Sequence, residues 1–569
     1  MPVMMPAVAR TKLRRHRTLS LALLCLSVLS LGGSPSAAQD VPPKAAEPAP
    51  GSGKQSAPER QSKQSEGSNR STVTITPPAG PVRQLPADST TAHSVDLPGR
   101  TLKFSVTAGS IPLLADDGRV LAEIGYVSYH LDGADPLKRP VTFAFNGGPG
   151  SASSWVHIGG FGPWRIPIDG AAVSPSAPPV LLPNAETWLD FTDLVFIDPA
   201  GTGYSRIARP SSEAGPAASV GNAGGNAGGG GNRAQGGNAF FYSVNGDVDS
   251  VSETIAKWLR KHNRLASPKM LVGESYGGIR APKVTHLLQT QYGVGMNALL
   301  LVSPVMDFGQ FRGPRHRMPM FVNTLPTIAA AAQEAKGKPF KSRDELVDVE
   351  AYARGEYVQD FMRGPHDAAA LDRMIKRVAG YSGLTEATVR QYGAKFDEFI
   401  YIREANRASG RQASGYDTSV TGDDADPTAY FPRWDDPFSG ALTAPVKSAM
   451  LDLYVKLGWK TEMAYNLASG DAFRGWQWGN STDGVESFTQ LRAAMALDPQ
   501  LRLLVTHGAT DLRTPYFASV LLLEQLPAFV NNTPGRVKLQ LYPGGHMHYS
   551  REGSRKALRD DAKALIEGR

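Results

Sequence analysis

The sequence predicts an α/β fold, a central and mostly parallel sheet with a helical cap inserted into it. Three observations predict it. Short apolar runs end in glycine turns, as in "VTFAFNGGPG" and "DLVFIDPAGTGYS", the pattern of core strands whose ends carry loops. A further run, "PKMLVGESYGG", reads as a strand that turns tightly into a helix. The strand-and-turn rhythm then gives way, from about residue 307 to 450, to helical, charged, aromatic-rich segments such as "SRDELVDVEAYARGEYVQDFM", and returns in "LRLLVTHGATD" and "VKLQLYPGGHMHY". A chain of 569 residues, 41% hydrophobic and 20% charged, is long enough for a large core plus such an insertion.

In order along the chain, residues 1–38 read as an export signal. Arg10, Lys12, Arg14, Arg15 and Arg17 precede the apolar stretch "LSLALLCLSVLSL" and a small-residue cleavage site ending at Ala38. The Arg14-Arg15 pair leaves a twin-arginine route open, although Arg17 and Thr18 stand where that signal prefers apolar residues. The expected locale is the periplasm or the extracellular space, with no membrane span in the mature chain. Residues 39–92, rich in Pro, Ser, Ala, Gln and Lys, are expected to be a disordered leader.

The core is expected over 93–306, where "LKFSVTA" and "EIGYVSYHL" alternate like strands. Within it, 211–238 contains "GNAGGNAGGGGNRAQGGN", read as a solvated loop because no Lys-Ser/Thr pair follows to make it a phosphate cradle. In "DVDSVSETIAKWLRKH", Val248, Val251, Ile255, Trp258 and Leu259 fall on one helical face. The helical cap is expected over 307–450 and the second part of the core over 451–569, closed by the helix "SRKALRDDAKALIE".

Charge and cysteine content exclude several classes. The signal carries five basic residues and no acidic ones, so the 60 Lys and Arg against 53 Asp and Glu of the full chain become 55 against 53 once it is removed. A net charge of +2 in place of +7 gives no reason to expect a nucleic-acid partner. The single cysteine, Cys25, lies in the signal, and Leu24 before it argues against lipid attachment. The mature chain therefore has no disulfide, thiol nucleophile or cysteine metal site, and nothing calls for a cofactor.

The chemistry centres on Ser275. A serine hydroxyl is a weak nucleophile until a base removes its proton, and it must project from the backbone to reach a carbonyl. Gly273, Ser275 and Gly277 form a G-x-S-x-G on a strand-to-helix turn, where the glycines leave room that side chains would fill. After "LRLLVTHGATD" the only histidines are His546 and His548, both in "YPGGHMHY" at a strand end. Asp511 ends the preceding strand in a turn where its carboxylate can orient an imidazole. The order nucleophile, acid, histidine gives Ser275, Asp511 and His546 as the triad, with His548 packed or on the surface. Zinc held by His546 and His548 is not expected, because their spacing matches no usual ligand pattern and no third ligand is evident. The loop "NGGPGSASSW", after a strand, is a source of backbone donors for an oxyanion.

These residues together resemble the serine carboxypeptidase family of α/β-hydrolases: "NGGPGS" at 146–151, "DPAGTGYS" at 198–205, "GESYGG" at 273–278, Asp511, and "GGHM" at 544–547, in family order over roughly 100–560. The resemblance implies an exopeptidase acting on peptide or protein C-termini, with Ser275 as nucleophile, His546 as base and Asp511 as its orienter. The Gly148 and Tyr276 backbone N–H groups would form the oxyanion hole. It implies that Asn146, Gly147 and Glu274 bind the substrate's free carboxylate and that the Tyr276 ring walls the pocket. The chain departs from the pattern at three places: Ala144 stands for the family's usual Trp, Gly160 for its second Glu, and Ser151 for a disulfide cysteine. With Gly160 there, Glu274 is expected to lose the partner that keeps it neutral. The same scaffold serves esterases and acyltransferases, though in related plant acyltransferases an Asp tends to precede the serine, and here it is Glu274. A non-catalytic binding protein on a retained fold would be expected to show a broken triad.

Overall fold

A computed structural model describes residues 83–168, 174–208, 237–429, 435–479 and 485–568. The export signal, the leader up to residue 82 and nearly all of the Gly/Asn tract lie outside the described residues.

The frame is a single large sheet. In chain order its main strands are β1 (Ser89–Leu97), β2 (Arg100–Leu114), β3 (Val120–Leu131), β4 (Val141–Phe145), β5 (Asp193–Ile197), β6 (Lys269–Glu274), β7 (Ala298–Val302), β8 (Arg502–Gly508) and β9 (Val537–Tyr542). They lie side by side as β1-β2-β3-β5-β4-β6-β7-β8-β9, with the short strand Arg206–Ile207 also pairing with β3. The pairings from β1 to β5 are antiparallel, and β5, β4, β6, β7, β8 and β9 run parallel. This is the α/β-hydrolase arrangement. The strands β4, β5, β6 and β7 are buried along their whole lengths, which is why they read as continuous apolar runs.

Alternate residues of each strand face opposite layers. Ala144, Leu194, Met270, Val272, Leu300 and Leu504 join one apolar cluster with Leu558, Ala562, Leu565 and Ile566 of the C-terminal helix Glu552–Glu567. Phe143, Val195, Leu271, Leu299, Leu301 and Leu503 join the other, against the helices Val244–Lys261 and Gly277–Leu287. Val248, Val251, Ile255, Trp258 and Leu259 are all buried there.

Two boundaries differ from the expectation. The leader does not run to Ala92, because β1 begins at Ser89 and pairs Ser89 with Ala108 of β2. Glu123 of β3 also accepts from Arg83 Nε at 2.7 Å and from the Leu85 amide at 3.1 Å. An edge strand with one wet face keeps polar residues at alternate positions, so its composition resembles that of a leader. The cap does not close at 450, since the helix Ser439–Lys456 runs through that point. Its Leu442, Val446, Met450 and Leu453 pack in the first sheet cluster.

The excursion between the neighbouring strands β7 and β8 is nevertheless largely helical. It includes Pro319–Ala335, Val347–Arg354, Glu356–Arg363 and Ala368–Ser382, which build a third cluster around Phe321, Tyr352, Tyr357, Met374 and Ile375. Tyr516 and Phe517, which follow β8, complete that cluster and tie the cap to the sheet next to Asp511.

Candidate active site

Ser275 sits between β6 and the helix Gly277–Leu287 with φ of +60°, a left-handed conformation that costs a non-glycine residue about 1–3 kcal/mol. Neighbouring contacts hold it. Its amide donates to Val302 O at 3.0 Å, and its carbonyl accepts from Val305 N at 3.0 Å. A Cβ on Gly273 would run into the Gly277 carbonyl and stand 2.9 Å from Ala281 Cβ, and one on Gly278 would strike the Val305 carbonyl. Gly273 and Gly278 are therefore there for close backbone approach, which lets the turn stay sharp enough to present the hydroxyl, whereas a Cβ on Gly277 would meet nothing nearer than Phe145 at 3.6 Å, contrary to the expectation of a collision there.

Asp511 follows the end of β8 and is fully buried. Its Oδ1 accepts from the amides of Arg513 at 2.9 Å and Thr514 at 3.1 Å. Its Oδ2 lies 2.8 Å from His546 Nδ1 and 2.6 Å from the Thr514 hydroxyl. Burial alone pushes this carboxyl up, but the charge and hydrogen bond of His546 and the Thr514 hydroxyl bring it below the usual carboxylate range. Burial likewise pushes His546 down, and the Asp511 charge and hydrogen bond, with Glu274 adding, more than reverse it. The pair is a carboxylate holding an imidazole by Nδ1, which leaves Nε2 for proton transfer. His548 is fully buried, its ring stacked on Tyr542 at 5.1 Å, and burial pushes it down to about 3.

Glu274, one residue before the serine, is also buried. Asn146 Nδ2 donates to its Oε2 at 2.7 Å. The orientation of that amide is fixed, because Asn146 Oδ1 accepts from Trp155 N at 3.0 Å and Val156 N at 3.1 Å. Burial pushes Glu274 up to about 7, while His546, Tyr549 and Asn146 pull it down and Asp511 pushes it up. A Cβ on Gly147 would collide with the Tyr276 amide nitrogen, so the Asn146 loop lies directly against the nucleophile turn. Gly148 has φ of +104°. Among the described residues no acceptor is bonded to the backbone N–H of Gly148 or Tyr276. The Tyr276 ring is buried and meets Trp476 edge-on at 5.4 Å.

The two halves of the site are joined by residues without a sequence signal. Ser303, just past β7 and left-handed at φ +45°, donates from its hydroxyl to the His546 carbonyl at 2.7 Å, and its own carbonyl oxygen lies 3.0 Å from Thr514 Oγ1. Arg280, fully buried, donates to Asn146 O at 2.6 Å and pairs with Asp247 at 2.7 Å, which pins the glycine loop to two helices. Tyr416, from the excursion between β7 and β8, accepts from the His546 amide at 2.6 Å and lays its ring edge-on to the imidazole at 5.3 Å.

Gly160 does not leave Glu274 without a partner. Tyr549 lies over Gly160, and its hydroxyl donates to Glu274 Oε2 at 2.8 Å. Ala144, another of the three departures, is buried in β4 within the first sheet cluster. Among the described residues there is no group of three or more His, Cys, Asp or Glu that could hold a metal ion. No helix among them is long and apolar enough to cross a membrane.

Residues 126–303 match the family model for serine carboxypeptidase. A curated relative, serine carboxypeptidase-like 13 of Arabidopsis thaliana, is 24% identical over 176 residues, which is 30% of this chain. The match spans only 34% of that relative's length. Among solved structures, Kex1(delta)p, a prohormone-processing carboxypeptidase from Saccharomyces cerevisiae, aligns with a TM-score of 0.49 and 13% identity over 82% of this chain and 91% of its own. A proline iminopeptidase from Mycobacterium smegmatis aligns with a TM-score of 0.30 and 12% identity over 84% and 98%. The segment matched by the family model contains Asn146, both glycine loops and Ser275.

Proposed function

We propose that the protein is an exported serine carboxypeptidase that removes C-terminal residues through an acyl-enzyme. The observation that carries the reading is the pairing, across one serine, of the Asp511–His546 dyad with the Asn146–Glu274 pair. In the first half-reaction His546 takes the Ser275 proton as Oγ attacks the scissile carbonyl. The Gly148 and Tyr276 amides receive the oxyanion. His546 then returns the proton to the departing amino group as the C–N bond breaks, and water repeats the sequence on the ester. Asn146, Gly147 and Glu274 face the substrate's terminal carboxylate, and a protonated Glu274 supplies a donor where a carboxylate would repel. Export rests on the pattern of residues 1–38.

The test is turnover of a blocked dipeptide and of its C-terminal amide by the full chain, with fluorophosphonate labelling mapped to Ser275. Preference for the free acid is expected. Equal kcat/KM on acid and amide would move the assignment to an esterase or acyltransferase on the same scaffold.

A further inference from the structure

Glu274 has two oxygens in unequal surroundings. Oε2 receives Asn146 Nδ2 at 2.7 Å and the Tyr549 hydroxyl at 2.8 Å. Oε1 has no hydrogen bond among the described residues. Both donors are committed. Asn146 is held by two backbone amides on its Oδ1, and the Tyr549 O–H has no other acceptor among the described residues. Burial holds that phenol well above its ordinary range, so it stays a neutral donor.

Tyr549 is placed by the glycines of the opposite segment. A Cβ on Gly160 would stand 2.8 Å from Tyr549 Cδ2, and one on Gly159 would stand 3.2 Å from Cε2. Phe161 meets the same ring at 5.4 Å. The ring thus needs a floor without side chains, which the sequence provides at Gly159 and Gly160. Tyr549 itself is three residues beyond His546, so the histidine loop and Glu274 are built as one unit.

We propose that Tyr549 is a positioning residue for C-terminal recognition: with Asn146 it fills Oε2 of Glu274, so that the acid proton resides on Oε1 and is donated to the substrate's carboxylate. This rests on the carboxypeptidase reading. A second donor on Oε2 leaves a proton there nowhere to point, whereas on Oε1 it meets the incoming anion. The charged and titratable groups that act on Glu274 are His546, Tyr549 and Asp511, with Asn146 as the neutral donor. The Tyr549 hydroxyl also favours the ionised form of Glu274, so it sharpens recognition while setting the upper pH at which recognition is lost.

The experiment is kcat and KM from pH 4 to 8 on a blocked dipeptide and its C-terminal amide, for the full-length enzyme, Tyr549→Phe and Gly160→Ala. Tyr549→Phe keeps the ring and removes the donor. Its preference for acid over amide is expected to fall about tenfold, in KM rather than kcat, as for loss of one buried hydrogen bond. The pH at which KM on the acid rises should move upward. Gly160→Ala, which displaces the ring, should lower the preference in the same way. Wild-type selectivity and pH midpoint in Tyr549→Phe would overturn the role of Tyr549 while leaving the carboxypeptidase reading intact. Absence of acid preference in the wild type would overturn both.

Discussion

Asp511 and Glu274 are both buried carboxyls within one active site, and they are held in opposite states. Asp511 takes four contacts: two backbone amides on Oδ1, then a hydroxyl and an imidazole on Oδ2. Its pKa is lowered. Glu274 takes two neutral side-chain donors, both on Oε2, and burial pushes it up to about 7. Desolvation is the largest cause at both sites, so depth does not distinguish them. The number of donors and the presence of a cationic partner do. On the proposed reading the first carboxyl serves as an anion that steadies an imidazolium, and the second holds a proton and lends it.

The largest expected effect comes from removing the anion. Asp511→Asn keeps the shape but offers Nδ1 the wrong partner, and kcat should fall about 10⁴-fold, with Ser275→Ala or His546→Ala adding little on top because the three act as one unit. Near-normal turnover of Asp511→Asn in steady-state assays would show that Asp511 is not the orienter.

A smaller effect tests donor count. Thr514→Val removes the hydroxyl 2.6 Å from Asp511 Oδ2, so the folded-state pKa of Asp511 should rise toward its ordinary value. A carboxyl whose folded pKa is depressed contributes stability above its unfolded pKa and loses it as pH falls through the folded value. Acid unfolding of Thr514→Val, followed by circular dichroism, should therefore begin at higher pH than in wild type, with kcat at neutral pH reduced about tenfold. An unshifted acid transition would mean that the hydroxyl does not hold the carboxylate.

The smallest effect on kcat is expected at Glu274. Glu274 keeps its proton below about 7, so affinity for a free acid falls as pH rises through that value. His546 serves as base only when neutral, and its pKa is raised above 6.5, so turnover falls as pH drops through that raised value. On the free-acid substrate kcat/KM should be bell-shaped, and its two limbs belong to the interacting pair. Glu274→Gln keeps a donor at every pH. It should erase the alkaline limb while leaving kcat within about tenfold. Persistence of that limb would assign it to another group.

Much of the site was legible along the chain because its parts are local. The glycines around Ser275, the loop from Asn146 and the strand-end positions of Asp511 and His546 each mark a sharp turn after an apolar run, and turns have sequence signatures. The sheet was legible for the same reason: "VTFAF" and "KMLVGE" are buried on both faces and read as strands. The polar edge strand β1 was not, since alternation with one wet face resembles a leader. Nor did the end of the cap show, because the helix Ser439–Lys456 carries no punctuation at 450.

The sequence by itself determined the strand-turn-helix around Ser275 and the strand-end positions of Asp511 and His546. Only the tertiary structure decided how Glu274 is supported. The sequence alone predicts that Gly160 costs Glu274 a partner, whereas the fold brings Tyr549 from the far end of the chain onto that bare backbone and its hydroxyl to Glu274. Ser303, Arg280 and Tyr416 are likewise ordinary residues until the sheet and cap set them against His546 and Asn146. The physical reason is range: dihedral and periodicity constraints act over a few neighbouring residues, while a hydrogen bond between positions 274 and 549 exists only once the intervening chain has closed around one core.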